Sequence, residues 1–223
     1  ALESAAEGAT ITLGQDFSVE AGPENNFTLS KPVTINGNGH TITRAFNEVS
    51  TDGYGDYEAV FVITSAGVTI QNVTCRLDKG QKDEAGIYIS GNGTETSEIT
   101  ISACKFIGAE TAAAPSGGTG IISSGNSSAY LTVTDCQFTN LKYGMYFNDI
   151  SQASITGNQI DGTKYTGIYL EGSNVTIEDN VLTNIASKTT TTPRMPLGSM
   201  LAILLKAAQL RLLTATRSLC MKM

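Results

Sequence analysis

Apolar residues in this chain fall in short runs that alternate with polar ones at period two, and the runs themselves recur. Gly86-Ile87-Tyr88-Ile89 leads to Ile99-Thr100-Ile101-Ser102-Ala103-Cys104, and Gly167-Ile168-Tyr169-Leu170 leads to Val175-Thr176-Ile177-Glu178-Asp179-Asn180. Between them stand Gly120-Ile121-Ile122 with Leu131 to Cys136, and Gly144-Met145-Tyr146-Phe147 with Ser154 to Asn158. An earlier copy, Val60-Phe61-Val62 with Val68-Thr69-Ile70 and Cys75, lacks the leading glycine. Alternation at period two marks half-buried strands. The steps from Cys75 through Cys104, Cys136 and Asn158 to Asn180 are 29, 32, 22 and 22 residues. A period in the twenties that stretches only where a loop swells predicts a solenoid of short strands.

The same alternation begins earlier, at Ala9-Thr10-Ile11-Thr12-Leu13, and continues through Phe27-Thr28-Leu29, Val33-Thr34-Ile35 and His40-Thr41-Ile42-Thr43. Residues Leu2 to Glu7 suit a turn or two of helix capping the first coil, since an open solenoid end exposes edge groups and apolar surface. Two stretches break the rhythm, Arg44 to Glu58 and Gly108 to Thr119. Both fall between the end of one coil and the start of the next, so both are expected at the same corner of the solenoid.

Leu29-Ser30-Lys31-Pro32-Val33-Thr34-Ile35-Asn36-Gly37-Asn38-Gly39-His40-Thr41-Ile42 resembles the opening coil of right-handed parallel β-helix proteins of the pectin-lyase-like superfamily, and the later coils resemble its short repeats. The resemblance spans residues 1–187. It implies an all-β, single-stranded right-handed parallel β-helix of about six to seven coils with a short N-terminal cap. It does not select an activity, because that superfamily includes lyases, hydrolases, epimerases, tailspikes and non-catalytic surface proteins.

From Ser187 the rhythm stops, and the chain divides into a β-helix domain over residues 1–187 and a spacer with an apolar, basic segment over 188–223. Met200 to Leu213 suits a helix with Leu201, Leu204, Leu205, Ala208 and Leu212 on one face, although Ile203, Leu210 and Leu213 lie off it. The readings are a C-terminal cap, a segment foreign to the fold, or a membrane-surface helix.

Charge separates the same two parts. Residues 1–187 hold 8 Lys and Arg against all 21 Asp and Glu, a net −13, whereas residues 188–223 hold 6 Lys and Arg and no acid. An acidic body argues against nucleic acid as a partner. No segment has the length and lack of charge of a membrane span, so membrane insertion is not expected. Three of the four cysteines occupy one repeat position, each followed two residues on by Leu77, Phe106 or Phe138. They read as a stack of small buried thiols rather than disulfides or a metal site. Asn158 and Asn180, in the same position, read as an asparagine ladder at a tight bend, with Asp135 and Asp179 serving the turns before it. Asn26, Asn72, Asn92, Asn126 and Asn174 fit the N-glycosylation pattern, which chance also supplies in a chain so rich in Asn and Thr.

Candidate chemistry lies on the outward side of each coil's first strand. With Ile87 and Ile89 inward, Tyr88 and Ser90 point out. Aligning coils places Phe61, Tyr88, Ile122, Tyr146 and Tyr169 in one outward column, and Ser90, Ser124, Asn148 and Glu171 in the next. Such rows suit either an extended glycan, with rings over sugar C–H faces and polar groups on its oxygens, or a ladder that simply stabilises the sheet. For hydrolysis the candidate carboxylates are Asp149 and Glu171, one coil apart, with Lys164 and Arg76 as cationic partners. Asp52 and Asp56 in Asp52-Gly53-Tyr54-Gly55-Asp56 offer two oxygens toward calcium, which takes six to eight; no other cofactor is implied. His40 reads as a turn residue. The expected function is a secreted or cell-surface, non-catalytic module that binds a polysaccharide or surface glycan or mediates adhesion; the competing one is a polysaccharide lyase or glycoside hydrolase.

Overall fold

The computed structural model describes residues 2–45, 58–78, 84–91, 94, 96–108, 117–123, 130–172, 174–185, 201–205 and 213–215. The chain visits three faces in strict rotation. The first circuit is β1 (Thr10–Thr12), β2 (Phe17–Val19) and β3 (Phe27–Leu29), and the second is β4 (Thr34–Asn36), β5 (Thr41–Ala45) and β6 (Glu58–Ile63). Then come β7 (Thr69–Gln71), β8 (Thr74–Asp78) and β9 (Glu84–Ile89), followed by β10 (Ile99–Ser102), β11 (Lys105–Ile107) and β12 (Gly117–Ser123). Two further circuits are β13 (Tyr130–Thr134), β14 (Gln137–Thr139) and β15 (Leu141–Ile150), then β16 (Gln152–Thr156), β17 (Gln159–Asp161) and β18 (Thr166–Gly172). The rotation ends with β19 (Val175–Glu178) and β20 (Val181–Thr183).

Every third strand pairs in parallel, so the first sheet runs β1-β4-β7-β10-β13-β16-β19, the second β2-β5-β8-β11-β14-β17-β20, and the third β3-β6-β9-β12-β15-β18. This is the parallel solenoid that the repeat predicts. The two stretches that break the rhythm both join the second sheet to the third, β5 to β6 and β11 to β12, which is the shared corner expected of them.

Inward side chains of all three sheets form one continuous core from Leu29 to Ile185. At the repeat's leading glycine the core leaves no room for a side chain. A Cβ on Gly86 would stand 2.5 Å from the Phe106 ring, and one on Gly120 would stand 2.5 Å from the Phe138 ring. The copy without the glycine solves this from the other side. Val60 takes the glycine's register position, since Phe61 pairs with Ile87, and Cys75 takes the phenylalanine's, since it pairs with Phe106. A large residue on one sheet is matched by a small one on the next, as close packing demands.

That pairing corrects two expectations. Cys75 does not stand in the Cys104 position; Val73 does, because Lys105 pairs with Thr74 and Phe106 with Cys75. The 29-residue step therefore includes a two-residue offset, which the common Cys label conceals. Phe61, in register with Ile87, points into the core at 2% exposure. Val62 instead aligns with Tyr88, since one residue of register exchanges the two faces of a strand.

The true column is Cys104, Cys136, Asn158 and Asn180, and its members do the same work with different atoms. The Nδ2 of Asn158 donates to the carbonyl of Val133 at 3.0 Å, and that of Asn180 to Ile155 at 2.7 Å. The thiols of Cys104 and Cys136 point at the carbonyls of Ile70 and Ile101, at 3.6 and 3.7 Å. The amide Oδ1 atoms add a bond the thiols lack, accepting from Cys136 N and Asn158 N at 2.9 Å each. Cys75, Cys104 and Cys136 are all free thiols. Burial pushes the Cys75 thiol well up, and hydrogen bonding to Cys104 together with burial pushes Cys136 up. The same hydrogen bond from Cys136 lowers the Cys104 thiol, and burial shields all three thiols from solvent reagents.

The bend just before that column places a left-handed residue on each of five successive rungs from β7 onward: Asn72 (φ 56°), Ala103 (φ 51°), Asp135 (φ 55°), Gly157 (φ 68°) and Asp179 (φ 55°). Asp135 and Asp179 thus serve the turn. Asn, Asp and Gly tolerate this conformation, whereas alanine has no local hydrogen bond to offset a cost of about 1–2 kcal/mol. Ala103→Gly is therefore expected to raise stability by about 0.5 kcal/mol, the relieved strain exceeding the added chain entropy; an unchanged or lower urea midpoint would count against it.

At the N-terminal end, residues 2–8 form hydrogen-bonded turns rather than the helix suggested by their composition. Gly8 N donates to Pro32 O at 2.8 Å, which draws this short segment across the first circuit before a helical turn can repeat. Leu2 and Ala5 still pack on the core as a cap should. His40 contacts Asp16 at 3.0 Å, and Asp16 also accepts from Thr41 N. That backbone bond and His40 hold the Asp16 carboxyl below its usual range. His40 is a turn residue.

At the other end, the helix expected over Met200 to Leu213 is corrected. Its described parts are strands, β21 (Leu201–Leu205) and β22 (Leu213–Ala215). These pair antiparallel with β18 and β19. The last rungs of two sheets otherwise end in unpaired N–H and C=O groups, and an extended apolar segment satisfies them where a helix would not.

Candidate functional site: the outer face of the third sheet

The outer face of β6, β9, β12, β15 and β18 carries the candidate residues. Val62, Tyr88, Ile122, Tyr146 and Tyr169 align rung by rung. Ile122, Ala59 and Ala85 form a small apolar cluster, separate from the core, against which Val62, Tyr88 and Tyr146 pack. The three tyrosines of the row are half-buried. Tyr146 and Tyr169 stack with centroids 4.5 Å apart and planes at 10°, the ladder geometry that favours sheet stability. Ile122 separates Tyr88 from that pair.

Two tyrosines that the outward-column argument misses complete the face. Tyr143 meets Tyr146 edge-on at 5.2 Å and lies 5.4 Å from Tyr165 at 35°. Lys142 Nζ stands 5.6 Å from the Tyr143 centroid and 6.0 Å from that of Tyr165, and Lys164 Nζ stands 5.6 Å from Tyr165. These are cation–aromatic distances. The sequence carries a signal for them, the doublets Lys142-Tyr143 and Lys164-Tyr165 on successive coils. It is hidden because they precede the leading glycine, where strict alternation no longer tells which way a residue points. Burial raises the Tyr143 phenol, with Tyr146 and Tyr165 adding to it. Arg76 lies on β8 in the second sheet, exposed, and is not part of this face.

The second outward column is irregular. Phe147 pairs with Leu170 and Ile150 with Gly172, so Asn148 and Asp149 together stand opposite Glu171 in a bulge. Bulges re-aim side chains and recur beside functional sites. Here the bulge is tied to Ser123, whose Oγ accepts from Asn148 N at 3.0 Å and donates to Asn148 O at 3.1 Å. Ser123 itself is an inward residue, 2% exposed. Glu171 accepts a hydrogen bond from the Tyr169 hydroxyl. Burial and that bond to Glu171 raise the Tyr169 phenol, so it stays a donor at neutral pH. Ser90 is half-buried, its amide donating to Ile63 O at 2.9 Å. Ser124, Asp52 and Asp56 lie outside the described residues, as does the side chain of Asp149.

Beside this face, at the start of β6 and β9, lies a buried charge cluster in which Glu84 is only 3% exposed. Glu58 pairs in register with Glu84, and the fully buried Arg44 reaches Glu58 at 4.0 Å while donating to Gly22 O and Asn25 O at 2.6 and 2.9 Å. This cluster ties the first circuit to the base of β6 and is structural in its bonding. Among the described residues no group of three or more His, Cys, Asp or Glu is arranged to hold a metal ion, and no helix is long and apolar enough to cross a membrane.

Three parallel sheets, one strand of each per circuit, and a ladder at the bend make a β-helix. The match to a family model agrees: the model described as a right-handed beta helix region matches residues 58–191. No curated protein matches the chain. The chain belongs to the right-handed β-helix family, the fold that its resemblance to the pectin-lyase-like superfamily implies.

Proposed function

We propose that this chain is a secreted or cell-surface β-helix module that binds an extended glycan without cleaving it, through the outer face of β9, β12, β15 and β18. The observation that carries this reading is the tyrosine cluster of Tyr143, Tyr146, Tyr165 and Tyr169, half-buried and spread over two adjacent rungs. Tilted rings leave faces and hydroxyls for sugar C–H groups and oxygens, and a glycan laid across the strands meets one rung about every 4.8 Å. The test is retention on a panel of immobilised polysaccharides. Tyr146→Ala and Tyr165→Ala are each expected to weaken retention about tenfold, the loss of one aromatic contact plus its area, with an unchanged circular dichroism spectrum. Retention of the variants at wild-type strength would sink the reading.

One observation favours the enzymatic alternative, a polysaccharide lyase or glycoside hydrolase: the bulge that brings the Asp149 backbone opposite Glu171. Against it stands the engagement of Glu171 by the Tyr169 hydroxyl. Incubation with the same panel, followed by assays for unsaturated products and new reducing ends, separates the two. Product formation that Glu171→Gln abolishes would establish the enzyme.

A further inference from the structure

The outer face of the first sheet plays no part in the glycan reading, and its rows are chemically the most uniform of the three sheets. Six successive rungs set Thr34, Thr69, Thr100, Thr132, Ser154 and Thr176 in one register column. All six are half-buried, and each is flanked along its strand by two buried residues, so each points outward. Two residues further along, the central rungs β10, β13 and β16 add Ser102, Thr134 and Thr156 in a second column. Pairing runs from β4 to β19 without the register shift that breaks the third sheet between β15 and β18.

Strand propensity alone does not ask for this. Thr, Val, Ile and Tyr all suit an outward strand position, and the other sheets use that freedom. The third sheet's row reads Val62, Tyr88, Ile122, Tyr146 and Tyr169. A row of the second reads Thr74, Lys105, Gln137, Gln159 and Val181. A row confined to hydroxyls therefore has a cause beyond strand formation.

Its geometry supplies one. Hydroxyls repeat about every 4.8 Å from rung to rung, and the two columns stand about 6.6 Å apart along the strands. Branching at Cβ holds the threonine χ1 stiffly, so these groups are directed before anything binds. Thr156 Oγ1 also donates to Thr134 Oγ1 at 3.3 Å, and Thr132 Oγ1 to Glu98 Oε2 at 3.2 Å. Each hydroxyl offers one donor and two acceptors, close to the hydrogen-bonding capacity of a water molecule. A rigid array of such groups fits a ligand that is itself an array of O–H groups, and the prism face of ice repeats its oxygens at intervals close to these two. Neither column contains an aromatic ring to lie against a sugar, or the aromatic, Met and Arg anchors on which protein interfaces centre.

We propose that the outer face of the first sheet, centred on Thr100, Thr132 and Ser154 with Ser102, Thr134 and Thr156 beside them, is an ice-binding surface. It is separate from the tyrosine cluster of the third sheet, so either reading can fail without the other.

The test freezes a dilute solution of the full chain slowly and compares the protein held in the ice with that left in the liquid, since growing ice rejects ordinary solutes. The wild-type chain is expected to be enriched in the ice and to stop crystal growth over an interval below the melting point. Thr100→Lys, which sets a charge and a long side chain in the middle of the array, is expected to lose both effects. Thr69→Val/Thr100→Val/Thr132→Val keeps shape and branching but removes three hydroxyls, and most of the enrichment should go with them. Thr139→Lys makes the same change at a half-buried outer position of the second sheet and should behave as wild type does.

Exclusion of the wild-type chain from ice overturns the proposal. Enrichment that Thr100→Lys retains, or that Thr139→Lys loses to the same extent, overturns the assignment to this face. Full enrichment of the valine variant overturns the role of the hydroxyls. Exclusion from ice combined with pelleting on microcrystalline cellulose or chitin, abolished by Thr100→Lys, overturns ice in favour of a crystalline glycan. Circular dichroism of each variant separates a loss of binding from a loss of fold.

Discussion

Gly86→Val is expected to destabilise the β-helix by about 3 kcal/mol, near the upper end for overpacking a well-filled core, and Phe106→Cys in the same chain to restore about 1 kcal/mol or more of that loss. A Cβ at Gly86 would meet the Phe106 ring at 2.5 Å and the Gly120 carbonyl at 2.7 Å. The ring contact is the removable half. One circuit earlier the protein itself carries valine and cysteine at these two register positions, Val60 and Cys75, both fully buried. The phenylalanine change alone should cost about 3 kcal/mol through the cavity it leaves, so the double variant should be less unstable than the two losses summed. Urea midpoints of the four proteins measure the coupling. Strict additivity would mean that the facing positions do not compensate one another.

The second large effect is expected at Asn158. Asn158→Ala should cost about 3–4 kcal/mol, because it leaves buried groups without partners and opens a void. The amide of Cys136 loses the Oδ1 it donates to, and the carbonyl of Val133 loses its Nδ2 donor. The Asn158–Asn180 side-chain bond also disappears. Asn158→Cys should cost about half as much, since the thiol of Cys136 already serves the Ile101 carbonyl in the equivalent place. Hydrogen exchange offers a local check, with the Cys136 amide expected to exchange faster in both variants. Equal stability of the Ala and Cys variants would show that the thiols of this column are spectators.

Both effects trace back to how the repeat is written in the chain. The Gly–apolar–turn–apolar phrase and its period led directly to a parallel solenoid, and alternation told inward from outward wherever two strands shared a label in true register. Ile87, Ile121, Met145 and Ile168 align as their glycines do. The reading slipped where a shared residue type stood at different register positions. Cys75 resembles Cys104 in kind and burial, yet it fills the phenylalanine site, because the volume Val60 takes in place of the glycine had to be given back across the core. Phe61 slipped for the same reason, by one position. The tail misled differently. Its leucines satisfy helical spacing in isolation, but the open edges of β18 and β19 offer hydrogen bonds that no local pattern announces.

The candidate site was legible in part. Tyr88, Tyr146 and Tyr169 fall in line because strand alternation is a local rule. Lys142, Tyr143 and Tyr165 escaped it, since they meet Tyr146 and one another across rungs and their own strand positions precede the repeat's marker. Glu171 was found as a carboxylate, but its capture by Tyr169 depends on side-chain reach.

What the sequence determined alone is the period, the strand content and the chemistry of the bend, because each follows from backbone preferences that act within a few residues: Gly, Asn and Asp where φ must be positive, branched residues where strands alternate. Only the tertiary structure decided which residues share a column, which small side chain answers which large one, and where two lysines meet one ring. Those relations join residues about twenty or more positions apart, and only stacking with a definite register brings them within reach.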